Sequence, residues 1–194
     1  MPFPPPHSSR KPSRWREKAE AIRRQRAMYP LRGVSFLPAS IQNYYHRFYS
    51  NRAGKLFATK QPSFSMRHAS PIWVYEINPA MGKENYLGEG ILHYSKEKHA
   101  IEIHQVRKDQ SLLRTTEERT HIRGTRGIQM FRAILDFAIE SAKKNGLDRI
   151  VLRCNPKLAE YYKKFGFKIM ENIYAHENTG AIVGYEMEFH VPEK

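Results

Sequence analysis

Cysteine is almost absent from this chain: Cys154 is the only one in 194 residues. A single thiol excludes an intramolecular disulfide framework and a zinc site built on paired cysteines. It closes an apolar run at residues 150–152, where a buried structural thiol is expected rather than a nucleophile. No apolar run approaches the roughly 18 residues that suggest a membrane-spanning helix. The nine histidines form neither an HExxH motif nor a paired metal-ligand spacing, so no metal is expected from the sequence. No internal repeat is visible. Acidic residues are also scarce, 19 Asp and Glu against 33 Lys and Arg, which leaves a net charge of +14. Residues 1–32 hold nine Lys and Arg against two Glu, and the remainder holds 24 against 17. Both tail and body are therefore basic, and an anionic partner is expected.

The chain divides into a basic, Pro- and Arg-rich tail, residues 1–30, and one α/β domain, residues 31–194, long enough to bury a substantial core. The proline-rich start, residues 1–12, is expected to be disordered. Residues 15–28 fit an Arg-rich helix with Trp15, Ala19 and Ile22 on one face. A solvated extension is the simplest reading, with an anionic-surface anchor and a targeting segment as alternatives. Residues 38–52 are predicted to form a helix that packs Ile41, Tyr44, Tyr45 and Phe48 inward. Tyrosines beside Arg47 and Arg52 also suit base stacking, but a core role is the simpler expectation.

Three strands follow, at residues 71–77, 86–94 and 99–106, joined by hairpin turns at 78–85 and 95–98. Residues 106–126 are mostly polar, and 108–121 read as a strand extension and an inserted loop placed to gate access or bind substrate. A helix comes next: Ile128, Phe131, Leu135, Ala138 and Ala142 recur at three- and four-residue steps, widened by Ile134 and Ile139. Asn145 and Gly146 end it, and residues 149–153 start a strand, giving a β–α–β unit. A strand near Lys168, a turn around Asn178 and Gly180, and a final strand at 181–191 complete the domain.

Residues 152–167 are the most heavily punctuated segment. A strand breaks at Asn155 and Pro156, a short helix carries Tyr161 and Tyr162, and Gly166 and Phe167 lead into the next strand. Asn155 is a good N-cap and Pro156 suits the first helical position. Gly166 suits the left-handed position that closes a helix. This pattern of Asn155, Tyr162 and Gly166-Phe167 resembles the fourth conserved block of the GCN5-related N-acetyltransferase (GNAT) superfamily. The resemblance covers about residues 91–189. It implies a GNAT (acyl-CoA N-acyltransferase) fold, a mixed central sheet flanked by helices, here behind a basic N-terminal extension.

The resemblance implies further that acetyl-coenzyme A is the acyl donor. Its pyrophosphate is held in that superfamily by a glycine-rich loop at the start of the preceding helix. The equivalent residues here are Arg123, Gly124, Thr125, Arg126, Gly127, Ile128 and Gln129. Counting back from the helix body, Gln129 and Phe131 stand where small residues are expected. Free N–H groups and a positive helix end attract phosphate, and Arg123 and Arg126 add charge-assisted bonds. A basic loop that merely caps a core helix is the alternative.

By the same resemblance Tyr162 is the candidate general acid, and Asn155 contacts the pantetheine arm or a nearby water. A backbone N–H around Val106 serves the thioester carbonyl. Tyr162 also reads as a half-buried packing tyrosine. For the base, strand alternation puts Glu102 and His104 on one face, opposite Ile101 and Ile103, with Glu89 on the neighbouring strand as a rival. The expected activity is transfer of an acetyl group to an amine by direct attack in a ternary complex. The acceptor class stays open among protein, aminoacyl-tRNA and small molecule. The alternative is an inactive GNAT-like module that binds RNA or an acidic protein through its basic surface, the tail contributing. A cytoplasmic location and no membrane span are expected, and a homodimer is left open.

Overall fold

Alternating apolar and polar side chains build the centre of the sheet as a meander of three long antiparallel strands. In the computed structural model these are β4 (Ser70–Asn78), β5 (Lys83–Ser95) and β6 (Ala100–Lys108). The structure describes residues 29–35, 37, 39–52, 54–78, 83–108, 127–175 and 180–193, without the side chains of 83, 105, 107, 108 and 127–129. The expectations for residues 1–28, for the polar segment 109–126 and for the turn residues 176–179 lie outside that set.

Upstream of the meander come β1 (Tyr29–Pro30), α1 (Ala39–Tyr44), β2 (Arg47–Ser50) and β3 (Leu56–Lys60). The predicted helix over 38–52 is therefore corrected. Only its first half is helical, and Phe48 lies on a strand whose partner is Ala58. Neighbouring residues of this hairpin are buried on opposite faces. Tyr49 and Phe57 join the main core, while Phe48, Leu56 and Ala58 join a second one with Leu37, Tyr45 and Ile77. A strand buried on both faces loses its alternation, and its aromatics then mimic a helical stripe. Tyr44, expected inside, is 52% exposed, with the Lys60 ammonium 3.8 Å from its ring centroid.

Downstream lie α2 (Gly127–Lys144), β7 (Arg149–Cys154), α3 (Pro156–Lys163), β8 (Lys168–Tyr174) and β9 (Ile182–His190). The nine strands among the described residues order as β1-β2-β3-β4-β5-β6-β7-β9-β8. Among the described residues only the β6–β7 pair is parallel, and α2 is its crossover connection. This is the mixed α/β fold and the strand–helix–strand–helix–strand order that the resemblance implies. The helix stripe read from sequence is the buried face of α2: Phe131, Ile134, Leu135, Ala138 and Ala142 pack with Ile72, Leu92, Ile101 and Ile103. Gly146, at φ 68°, ends α2 as expected, and Leu147 N–H closes the turn on Ala142 O at 2.9 Å.

Two close approaches fix α2 on the sheet. A Cβ added to Gly90 would lie 2.7 Å from the Ile134 side chain, so glycine lets the helix descend onto β5. At its other end, Arg47 Nη2 donates to Glu140 Oε2 at 2.7 Å, tying the β2–β3 hairpin to the helix. Burial raises the pKa of Asp136, against the opposing pull of Arg132, Arg47 and a hydrogen bond from Tyr49. Among the described residues, no helix is long and apolar enough to cross a membrane.

Candidate functional site

Parallel pairing between β6 and β7 covers three residues on each strand, Ile101 to Ile103 against Ile150 to Leu152. Both strands continue past that point. β6 runs on to Lys108 while paired to β5, and β7 runs on to Cys154 while paired to β9. The sheet therefore opens as a wedge with residues 104–108 on one side and Arg153 and Cys154 on the other. A register shift marks the start of the opening: Leu92 pairs with Ile103 and Ile91 with Gln105, so His104 is the extra residue of a β-bulge. Bulges bend a strand and re-aim its side chains.

The wedge lies at the carboxyl ends of β6 and β7, where ligands of parallel sheets are commonly held. Both downstream helices begin at that end. Asn155 follows β7 directly and caps α3, its side-chain oxygen accepting from Lys157 N–H at 3.0 Å. The capping roles predicted for Asn155, Pro156 and Gly166 all appear, Gly166 at φ 95° just past the helix. Asn155 is exposed at the head of the wedge, but its oxygen is committed to the cap. Val106 lies on β6 beyond the last parallel pair, opposite Gly90 on β5, and its side chain packs against the main core.

Of the proposed phosphate loop, Arg123, Gly124, Thr125 and Arg126 lie outside the described residues. Gly127, Ile128 and Gln129 form the first turn of α2, and only their backbone is described. Phe131, two positions further into the helix body, is 1% exposed. Its ring meets Tyr161, Tyr162, Phe165 and Phe167, with centroids 5.9, 4.8, 4.9 and 5.9 Å away. The space between α2 and α3 is thus filled by aromatic edges and faces, a packing mode favoured by ring quadrupoles.

Tyr162 is half-buried in this cluster. Burial, with a smaller contribution from nearby Cys154, pushes its phenol up to about 12. At neutral pH it is therefore a proton donor and not a base. Burial raises Cys154 as well, and its thiol donates to the Met187 sulfur at 3.5 Å. This agrees with a structural thiol.

Glu102 and His104 share a face, as alternation predicts, and the structure adds His93 to them. Glu102 pairs across the ladder with His93, whose Nε2 lies 3.4 Å from Glu102 Oε2. The rings of His93 and His104 are 5.2 Å apart. Glu89 is not in the group, since four residues of strand set it about 13 Å from His93. Sequence spacing within one strand does not reveal His93. The signal was the short hairpin turn: Ser95 opposite Ala100 places His93 opposite Glu102. Phe131 was visible as the wrong size for the loop, but its destination between the helices was not.

No protein-family model and no curated protein sequence matches the chain. Solved structures do resemble it. One is a GNAT-family acetyltransferase described as putative, from Desulfovibrio desulfuricans, with 9% identity and a TM-score of 0.46, covering 70% of this chain and 99% of that one. A nourseothricin acetyltransferase has 16% identity and a TM-score of 0.43, covering 91% and 94%. A Bacillus subtilis acetyltransferase in complex with CoA has 17% identity and a TM-score of 0.40, covering 66% and 80%. At such identities and scores none of them carries an argument about this chain's site, so the functional reading rests on the geometry above.

Proposed function

We propose that the chain is an acetyl-CoA-dependent N-acetyltransferase of the GNAT type. The observation that carries this reading is the wedge between β6 and β7, headed by two helix N-termini and flanked by a protonated Tyr162. An extended pantetheine arm suits such an opening, because backbone groups that leave a ladder are free to bond an amide-bearing chain. The gap between α2 and α3 fits less well, since Phe131 fills it where a small residue would let the phosphates approach. Arg123 and Arg126 compensate by charge.

In the proposed reaction a neutral amine attacks the thioester carbonyl, a backbone N–H near Val106 supports the oxyanion, and the C–S bond breaks. Glu102, with His104 beside it, accepts the proton that the amine must lose, directly or through water, and Tyr162 protonates the departing thiolate. The basic body favours acceptors on anionic carriers, such as aminoacyl-tRNA or an acidic protein, over polyamines. The test is release of free CoA thiol from acetyl-CoA in the presence of aminoacyl-tRNA, peptide amines or small amines. Amine-dependent release with matching acetylation of the acceptor is expected. Failure with every class, together with no acetyl-CoA binding, would overturn the reading.

One observation favours a second reading. Phe131, bulky where the resemblance expects a small residue, packs into the aromatic cluster between α2 and α3, as expected of a domain that kept the fold and binds RNA through its basic surface. RNA affinity that falls steeply with salt, and falls further without residues 1–30, would support it.

A further inference from the structure

We propose that His93, Glu102 and His104 form a binding site for one divalent transition cation of the zinc type. One ligand atom from each of the three lies within 4.8 Å of the other two. A tetrahedral ion with bonds of about 2.0–2.1 Å needs its ligand atoms about 3.3 Å apart, and His93 Nε2 and Glu102 Oε2 already stand at 3.4 Å. His104 has the remaining distance to close. It is exposed, so its ring has room to turn inward.

Backbone architecture sets the triad. The hairpin register places His93 and Glu102 directly opposite each other, and His104, two residues along from Glu102, lies on the same face with its ring 5.2 Å from that of His93. That face lies away from α2, whose core partners on these strands are Leu92, Ile101 and Ile103. Two imidazoles and one carboxylate select zinc, copper or nickel over magnesium and calcium, which prefer oxygen alone. Three protein ligands leave a fourth position for water or a ligand.

The site does not rest on the transferase reading. It does share a residue with it, because a cation held by Glu102 would withdraw that carboxylate from proton transfer.

The probe is zinc chloride, titrated calorimetrically into tag-free, metal-stripped full-length protein. Binding of one ion per chain is expected. His93→Ala, Glu102→Gln and His104→Ala should each weaken it at least about tenfold. His190→Ala should leave it unchanged, since His190 lies elsewhere against Glu188, 3.0 Å away. Cobalt substituted into the unaltered protein gives a readout independent of how the variants fold: intense visible bands mark a tetrahedral site, weak ones a hydrated ion. Absence of stoichiometric binding, a weak cobalt spectrum, or affinity retained in the triple variant would overturn the proposal.

Discussion

Phe131 and Tyr162 meet edge to face, their ring centroids 4.8 Å apart and their planes 68° from parallel. This contact joins the helix that opens the proposed cofactor site to the helix that carries the proposed acid. Replacing Phe131 by Ala is expected to destabilise the fold by about 3–5 kcal/mol, as for other large-to-small changes in a closed core. It should also let water reach Tyr162, so that the phenol titrates nearer the ordinary value of 10. Chemical denaturation and an absorbance titration of the tyrosines check the two parts separately.

Tyr162 donates its proton only if its hydroxyl reaches the leaving sulfur. Tyr162→Phe keeps the ring and its packing, so the fold is expected to survive. Turnover should fall by about 10²–10⁴-fold, the usual range for a positioned proton donor, with little change in KM. Unchanged turnover would return Tyr162 to the core.

The same burial predicts a fall in stability at alkaline pH. The Tyr162 phenol ionises near 10.0 in an unfolded chain and near 12 in the fold, so the folded state holds the proton more tightly. Above pH 10 the unfolded state sheds protons that the folded state keeps, and stability drops as pH rises through this window. Tyr161 and Tyr49 are raised by burial too and act with the same sign. Melting temperatures measured from pH 8 to 11.5 should decline steeply beyond pH 10, and less steeply in Tyr162→Phe.

At Gly90, opposite Val106, α2 packs tightly onto β5 through Ile134. A methyl group there would sit 2.7 Å from two carbons of Ile134 and 2.9 Å from a third. Gly90→Ala should therefore cost about 1–3 kcal/mol. Adding Ile134→Ala should recover part of that, a non-additivity measurable by a double-mutant cycle.

The legible parts of the chain are those where one physical rule acts alone. Strands β4 to β6 alternate because one of their faces is wetter than the other, and α2 shows its stripe because only one side is buried. Asn155, Pro156 and Gly166 announce α3 because caps are local. The β2–β3 hairpin was hidden because Phe48 and Tyr49 are buried on opposite faces, which erases the period of two. Glu102 and His104 were found from one strand, whereas His93 depends on a cross-strand register. The bulge at His104 marks the widening of the sheet, but no residue type announces it. In the sequence, Gln129 and Phe131 both stand where the resemblance expects small residues, and the structure shows where the larger of the two, Phe131, goes.

The most direct test of the central claim is the melting temperature of the full chain with and without acetyl-CoA. Ligand at about 100 times its dissociation constant adds roughly 2.7 kcal/mol, or about 5–10 °C for a domain of this size. The account predicts an upward shift of that order, saturating with acetyl-CoA concentration. No shift at millimolar acetyl-CoA would contradict it and leave the wedge without its proposed occupant.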